Sequence, residues 1–235
     1  MARGDPRRPA RGRAHQGPRV TAHLHLYRPD RDVLRVSQIV ESSRSEGPGV
    51  RFCLWLQGCE LRCPGCCNPE MFDFDSPNAS DIPVTALVDQ LRQARSIEGI
   101  TLLGGEPFHQ APAAGALAAA AQELGLGVVV FTGYELDVLS TAPDAADLLA
   151  HTDLLISGPY VAAARSIERP WVGSDNQQVH LLSARYQGHP DLAARRAQSV
   201  HVQLLDGELR VTGWPGAISG VAIRPTVRPS NEGKS

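Results

Sequence analysis

Residues 50–68 read VRFCLWLQGCELRCPGCCN, and this stretch decides how the rest of the chain is interpreted. Its first part, residues 50–57, is a mostly apolar run of strand length that ends at Gly58. All five cysteines of the chain fall within residues 53–67. A disulfide framework spreads its cysteines so that they close long loops, whereas an odd and tightly bunched set indicates metal or redox chemistry.

Three of these cysteines follow the spacing C-x3-C-x2-C: Cys59, Cys63 and Cys66. Three thiolates on one short loop can bind three corners of a cubane iron-sulfur cluster and leave the fourth iron without a protein ligand. A structural zinc site needs four ligands, and no second cysteine knuckle exists in the sequence. Cys53, Cys67 or His109 could supply a fourth zinc ligand, so the spacing alone leaves zinc open.

The sequence predicts strands on both sides of the cysteine loop, and strands and helices alternate after it. Strands are predicted at residues 23–27, 33–40, 50–57, 99–103, 128–131 and 153–157. Helices are predicted at residues 83–95, 111–124 and, split by Pro143, 134–150. This alternation favours parallel βα units with right-handed crossovers, and therefore an α/β fold. The first two strands are expected to pair as a small N-terminal hairpin, and residues 200–211 as a C-terminal hairpin around Asp206-Gly207.

The chain has 235 residues, of which 42% are apolar and 20% charged, which suits a single globular domain. Residues 1–19 carry six arginines and one acid but are rich in Pro and Gly, so a disordered arm is favoured over a nucleic-acid-binding one. We therefore expect a disordered basic arm at 1–20, one domain at 21–223 and a disordered tail at 224–235. No apolar run reaches about 18 residues and the arm lacks a secretory apolar segment, so a cytoplasmic protein without a membrane partner is expected.

The loop GCELRCPGCCN at residues 58–68 resembles the cluster loop of radical S-adenosylmethionine (SAM) enzymes. Its Cys-Pro-Gly-Cys-x-Asn form is most similar to the anaerobic ribonucleotide reductase activating proteins and related glycyl-radical activating enzymes. Four further blocks follow in the family's order: GGEP at 104–107, FTGY at 131–134, DLLISGPY at 153–160 and WVGSDNQ at 171–177. The resemblance spans roughly residues 33–213, and it departs from the family at Cys67, a position that is commonly aromatic.

The resemblance implies a partial, open parallel (βα) barrel of the radical SAM type, with its chemistry at the carboxyl ends of the strands. It implies one 4Fe-4S cluster, with Cys59, Cys63 and Cys66 as ligands and an open iron that binds the amino and carboxylate groups of SAM. Reductive cleavage of SAM would then give a 5′-deoxyadenosyl radical that abstracts hydrogen from a backbone glycine of a partner protein.

By the same resemblance, three groups of residues contact SAM. Backbone atoms of Gly65, Cys66 and Cys67 face the adenosyl group; Gly104, Gly105 and Glu106 meet the SAM amino group; Thr132 and Tyr134 form part of the wall. Outside these groups, Cys53 is interpreted as a core residue. The pair Asn176-Gln177 either lines the site or satisfies backbone groups.

The implied partners are a glycyl radical enzyme, with anaerobic ribonucleotide reductase as the model, and an external flavodoxin or ferredoxin-type electron donor. An external donor is needed because the sequence has no cysteines for an auxiliary cluster. Two alternatives stay open: a radical SAM oxidoreductase that modifies a small molecule or peptide in a biosynthetic pathway, and a non-catalytic zinc-binding module.

Overall fold

The computed structural model describes residues 24–27, 30–166, 168–193, 200–205 and 208–213. The predicted arm at 1–20, the tail at 224–235 and the turn at 206–207 lie outside these ranges. The strands are β1 Val33–Ser43, β2 Arg51–Leu56, β3 Ser80–Pro83, β4 Gly99–Gly104, β5 Gly127–Phe131, β6 Leu154–Ser157, β7 Gln178–Leu181, β8 Val200–Leu205 and β9 Glu208–Gly213. The α-helices are α1 Val84–Gln93, α2 Ala111–Glu123, α3 Leu136–Thr141, α4 Ala146–Ala150 and α5 Pro190–Ala193.

Seven strands form one open sheet in the order β3-β1-β2-β4-β5-β6-β7. Its centre is parallel, because β2 pairs with β4, β4 with β5 and β5 with β6 in the same direction. The strands at the margins, β1, β3 and β7, run antiparallel to their neighbours. The predicted α/β fold with an unclosed parallel core is therefore confirmed. The C-terminal hairpin is confirmed as the separate two-stranded sheet β8-β9.

The parallel strands are buried on both faces, as their continuous apolar sequences require. On one face, the apolar stripe of α1 and the alanines of α2 pack against Leu54 and Leu102. On the other face, Cys53, Trp55 and Leu103 pack against Met71, which belongs to a short 3-10 helix that follows the cysteines. We call this second side the inner face.

The predicted N-terminal hairpin is wrong. Residues 24–27 form no strand, and β1 pairs instead with β2 and β3. The reason is packing: Leu24 and Leu26 lie against the helix-side core, and the Tyr27 N–H donates to the His109 carbonyl at 3.0 Å. Strands β3 and β7 and helix α5 were not predicted; β3 and β7 are four-residue strands and α5 is a four-residue helix, too short for a clear apolar period.

A buried arginine lies at the amino end of the inner face. Arg51 opens β2, and its side chain is fully buried. Its guanidinium donates only to oxygens of neighbouring strands and loops: Thr101 Oγ1, Tyr186 Oη and the carbonyls of Pro48, Ile100 and Gly127. Burial lowers the pKa of Arg51, and these acceptors offset the desolvation of the charge.

None of the helices in the described ranges combines the length and the apolar character that a membrane crossing would need.

Replacing Arg51 with Met should lower the free energy of unfolding by about 3 kcal/mol, because buried oxygens of β4, β5 and Tyr186 lose their donor. Urea denaturation of Arg51→Met and of the exposed control Arg92→Ala tests this. The control should change stability by less than about 0.5 kcal/mol. A gain in stability for Arg51→Met would show instead that the desolvation cost of the charge outweighs its hydrogen bonds.

Candidate functional site

The cysteine loop begins where β2 ends, at the carboxyl edge of the parallel sheet. Gly58 takes a φ of +98°, and a side chain there would overlap the ring of Phe74. The Gly58 N–H donates to the Met71 carbonyl at 2.9 Å, and the Cys59 N–H donates to the Phe72 carbonyl at 3.1 Å. The returning chain thus fixes the start of the loop, which explains why the turn before Cys59 requires glycine.

The three spaced cysteines lie on this single loop, with Cys59 buried and Cys63 and Cys66 half-buried. Backbone N–H groups face their sulfurs: Asn68 N–H donates to Cys66 Sγ at 3.4 Å, and Tyr160, from the loop after β6, donates to Cys63. The Cys59 sulfur receives backbone hydrogen bonds from the two residues at positions 61 and 62. N–H donors around each sulfur are the surroundings that stabilise thiolates in metal sites.

The protonation of the three thiols differs. Burial raises the pKa of Cys59 to about 12, and burial also raises the pKa of Cys63. A hydrogen bond from Cys67 lowers the pKa of Cys66 to about 6 and correspondingly raises that of Cys67. Only Cys66 is therefore ready as a thiolate, while Cys59 and Cys63 need a bound cation to release their protons.

The Gly104-Gly105 turn presses directly against the start of the cysteine loop. Gly104 has a φ of +101°, and a Cβ there would lie 2.8 Å from Trp55 Cα. A Cβ on Gly105 would overlap the Gly58 carbonyl oxygen. The chain's own backbone thus fills the space that both glycines leave open. The turn also accepts a 3.5 Å hydrogen bond from Asn68 Nδ2 at the Gly104 carbonyl.

Glu106 forms hydrogen bonds with the start of the cysteine loop, with the turn after β4 and with the loop after β5. Its N–H donates to the Gly58 carbonyl at 2.9 Å. Its carboxylate, which is buried, accepts from Phe108 N–H at 3.0 Å, Thr132 Oγ1 at 2.9 Å and Gly133 N–H at 2.9 Å. Burial raises the pKa of Glu106 to about 7 despite these donors. In this structure the carboxylate thus binds the protein itself, between the ends of β4 and β5.

Thr132 and Tyr134 lie beside Glu106 but are buried. The Thr132 hydroxyl bonds Glu106 and also accepts from the Tyr134 N–H at 3.1 Å. The Tyr134 hydroxyl lies 2.9 Å from His109 Nε2, and burial lowers the pKa of His109 to about 4. His109 is therefore neutral at neutral pH, with its Nε2 engaged by Tyr134. The buried Nδ1 of His109 has no partner among the described residues.

The remaining sequence candidates occupy different positions. Gly65, with a φ of +78°, lies close to Ala162 and Tyr160 of the loop after β6, and Cys67 is exposed. Cys53 is fully buried in the inner-face core, as expected of a packing residue.

The amides of Asn176 and Gln177 mainly satisfy backbone groups. Gln177 accepts from the N–H groups of Gly173 and Ser174 and donates to the Gly158 carbonyl at 2.9 Å. Asn176 donates to the Pro159 carbonyl at 2.7 Å. Of the two readings left open by the sequence, these bonds favour the structural one, in which the pair shapes the loop after β6.

Known proteins share the part of the chain that contains the cysteine loop and the turns around it. The chain matches the family described as "4Fe-4S single cluster domain" over residues 45–180. It is 33% identical over 143 residues to the anaerobic ribonucleoside-triphosphate reductase-activating protein of Salmonella typhimurium, which covers 58% of this chain and 91% of that protein. The chain belongs to the radical SAM family of glycyl-radical activating enzymes.

Two further similarities are more partial. The chain is 32% identical over 118 residues to the pyruvate formate-lyase-activating enzyme of Staphylococcus aureus, with 47% of each chain covered. Among solved structures, QueE from Escherichia coli aligns with a TM-score of 0.37 and 14% identity, over 52% of this chain and 68% of that one.

The donor set of this radical SAM protein fits a cubane cluster better than a single ion. In a cubane each thiolate binds a different iron, so the sulfurs of one loop can surround the cluster without converging on one point. Within the described ranges, no three His, Cys, Asp or Glu side chains converge so as to hold a single metal ion.

A cleft of about 460 Å³ lies on the opposite side of the sheet from the inner face. It is lined by residues of α3, β6 and β7, among them Ser157 and His180, whose Oγ and Nε2 atoms are 2.8 Å apart. Ser157 points to the same side as Leu155, which packs in the helix-side core. The cleft is therefore separate from the cysteine loop of the radical SAM site.

The raised pKa of Glu106 makes stability depend on pH. Because its pKa is about 7 in the folded protein and ordinarily 4.5, the folded state holds a proton that the unfolded state has lost between these values. This contribution to stability is complete below pH 4.5 and is lost as the pH rises through 7. Glu46, whose pKa burial also raises to about 7, acts in the same window.

We therefore expect the free energy of unfolding to fall between pH 5 and pH 7.5, and to fall less steeply in Glu106→Gln, which carries no titrating proton. Denaturant titrations across this range measure both slopes. The exposed control Glu123→Gln should keep the slope of the parent protein. Equal slopes for Glu106→Gln and the parent would contradict the prediction.

Proposed function

We propose that this protein uses a single 4Fe-4S cluster to cleave SAM reductively and to generate a glycyl radical on a partner enzyme that resembles anaerobic ribonucleotide reductase. The observation that carries the proposal is the set of three thiols on one loop. Gly58, at the start of that loop, is hydrogen-bonded to Glu106, whose carboxylate also bonds the loop after β5. When bound, the reduced cluster supplies one electron that splits SAM into methionine and a 5′-deoxyadenosyl radical, which takes a hydrogen atom from a glycine.

The cysteines would hold the cluster in distinct ways. Cys66 offers a thiolate stabilised by the Asn68 N–H, and Cys59 offers a buried one. Cys63 completes the set from the exposed side of the loop. Cys67 follows Cys66 directly and donates a hydrogen bond to it, so it would support the Cys66 thiolate and would not itself be a ligand.

The turns around the loop would receive SAM through their backbone. Gly65, Cys66 and Cys67 would face the adenosyl group. Gly104 and Gly105 would meet the amino group, since neither presents a side chain. Glu106, Thr132 and Tyr134 would hold these turns in position, because their polar atoms already bond one another and His109.

Two kinds of protein partner follow from the proposal. An electron donor of the flavodoxin or ferredoxin type would reduce the cluster, because all five cysteines lie within residues 53–67 and leave no separate set of ligands for a second cluster. The second partner would be a glycyl radical enzyme, since the relatives are named as activators of anaerobic ribonucleoside-triphosphate reductase and of pyruvate formate-lyase. Because the sheet is not closed into a barrel, one side of it is open, and the partner's glycine loop could enter there.

Single replacement of Cys59, Cys63 or Cys66 by Ala should abolish the oxygen-sensitive absorbance of an iron-sulfur cluster after anaerobic reconstitution, because each removes the ligand of one iron. Iron and sulfide content per chain measure the loss. Cys53→Ala is the matched control and should retain about four irons, since that thiol lies in the core. Full iron content in Cys59→Ala or Cys63→Ala, or tightly bound zinc in the parent protein, would contradict the cluster assignment.

The parent protein, reconstituted and reduced, should form 5′-deoxyadenosine from SAM and produce a glycyl radical on the partner's chain. Electron paramagnetic resonance on a mixture with a candidate anaerobic ribonucleotide reductase detects that radical. Omission of the reductant should prevent both products. Formation of 5′-deoxyadenosine without a radical on any glycyl radical enzyme tested would reject the activating role and favour a small-molecule or peptide substrate.

A further inference from the structure

The connection between β1 and β2 carries a buried carboxylate onto the inner face. Residues 45–48 of this connection are buried, and Glu46 is 9% exposed. The Glu46 carbonyl accepts from Thr101 Oγ1 at 2.8 Å. Its Oε1 atom accepts from Ser45 Oγ at 3.3 Å and from the Gly213 N–H at 2.6 Å. The shorter of these two bonds comes from a residue 167 positions away.

Glu46 lies on the same face of the sheet as the cysteine loop. Thr101, which anchors its carbonyl, alternates along β4 with Leu102 and so points with Leu103 to the inner face. The charge of Glu46 also acts on Cys53, a member of the inner-face core with Met71. The carboxylate is thus buried on the inner face of the sheet, the face that Met71, in the segment after the cysteines, also covers.

Gly213 ends strand β9 and has a φ of +99°, a conformation that residues with a side chain rarely adopt. It lies beyond residues 45–180, the part of the chain that matches the family, whereas Glu46 lies within that part. The C-terminal hairpin therefore brings a backbone glycine amide from outside the shared domain to a carboxylate inside it.

The hydrogen bond from the Gly213 N–H to Glu46 resembles a contact that the proposed reaction would need. An enzyme that abstracts hydrogen from a backbone glycine can position that residue through its amide groups, because the glycine itself has no side chain to bind. A buried carboxylate is a strong acceptor for an amide N–H, since a charge-assisted hydrogen bond is shorter and stronger than a neutral one. A glycine amide bound to such an acceptor on the inner face has the features of a bound substrate.

We infer that Glu46 is the acceptor for the amide of the target glycine, and that Gly213 occupies this acceptor in the free protein as a competing glycine which the partner's loop displaces. This inference rests on the proposed function.

Amide hydrogen exchange of the full-length protein without cofactors tests the contact directly. In the parent protein the Gly213 amide should be protected, and Glu46→Ala should raise its exchange rate by about tenfold. Glu41→Ala, a control at an exposed glutamate of β1, should leave the rate unchanged. Equal exchange at Gly213 in the parent protein and Glu46→Ala would overturn the inference.

Activation of the partner tests the competition. Gly213→Ala places a side chain in the left-handed region and should release the hairpin end, so the KM for the partner should fall about threefold while kcat stays constant. Gly188→Ala is a matched control, because Gly188 has a φ of +72° and no atom within 4 Å of its missing Cβ. An unchanged KM in Gly213→Ala, or a glycyl radical on Gly213 itself, would overturn the competitor role.

The two proposals fail in different ways. If no partner acquires a radical from the parent protein, the proposed function is rejected, while the exchange measurement still decides whether Gly213 binds Glu46. If radicals form but the Gly213 amide exchanges freely, the proposed function stands and the competing glycine is rejected.

Discussion

Glu106 is the residue on which the arrangement of the site depends. Its N–H bonds the turn before the cysteines, and its carboxylate bonds the loop after β5 and the turn after β4. Burial of a carboxylate is costly, and here three donors offset part of that cost. Because one side chain satisfies groups from several loops, a shift of any loop would leave a buried polar group unpaired. The ends of three parallel strands are therefore held in one fixed relation.

Close backbone approach adds to this constraint. Gly105 lies against the Gly58 carbonyl, and Leu61 of the cysteine loop occupies the space beside Gly133. Neither position can accept a Cβ without a shift of its neighbour. Packing within the fold thus explains why the Gly-Gly-Glu-Pro turn requires glycine, independent of any bound molecule.

The inner face of the sheet is polar at the amino ends of the parallel strands and apolar towards the cysteines. Arg51 and Glu46 are both buried there, and each is bonded mainly to neutral groups. Such groups are expensive to bury, so their partners must be positioned by strands that are far apart in sequence. The link from Glu46 to Gly213 extends this network beyond the part of the chain that the family shares.

Local patterns are enough to predict the segments of the parallel strands, the helices between them, and the single loop that carries three spaced thiols. Those features depend on apolar periodicity, glycine turns and local spacing, all of which lie within a few residues of one another. Long-range packing, in contrast, makes residues 24–27 pack without forming a strand, adds β3 and β7 to the sheet, and brings Glu106 to the protein's own loops. It also decided that Glu46 meets Gly213. These contacts join residues distant in sequence, and their partners are set by how the packed strands and loops lie, which no local pattern records.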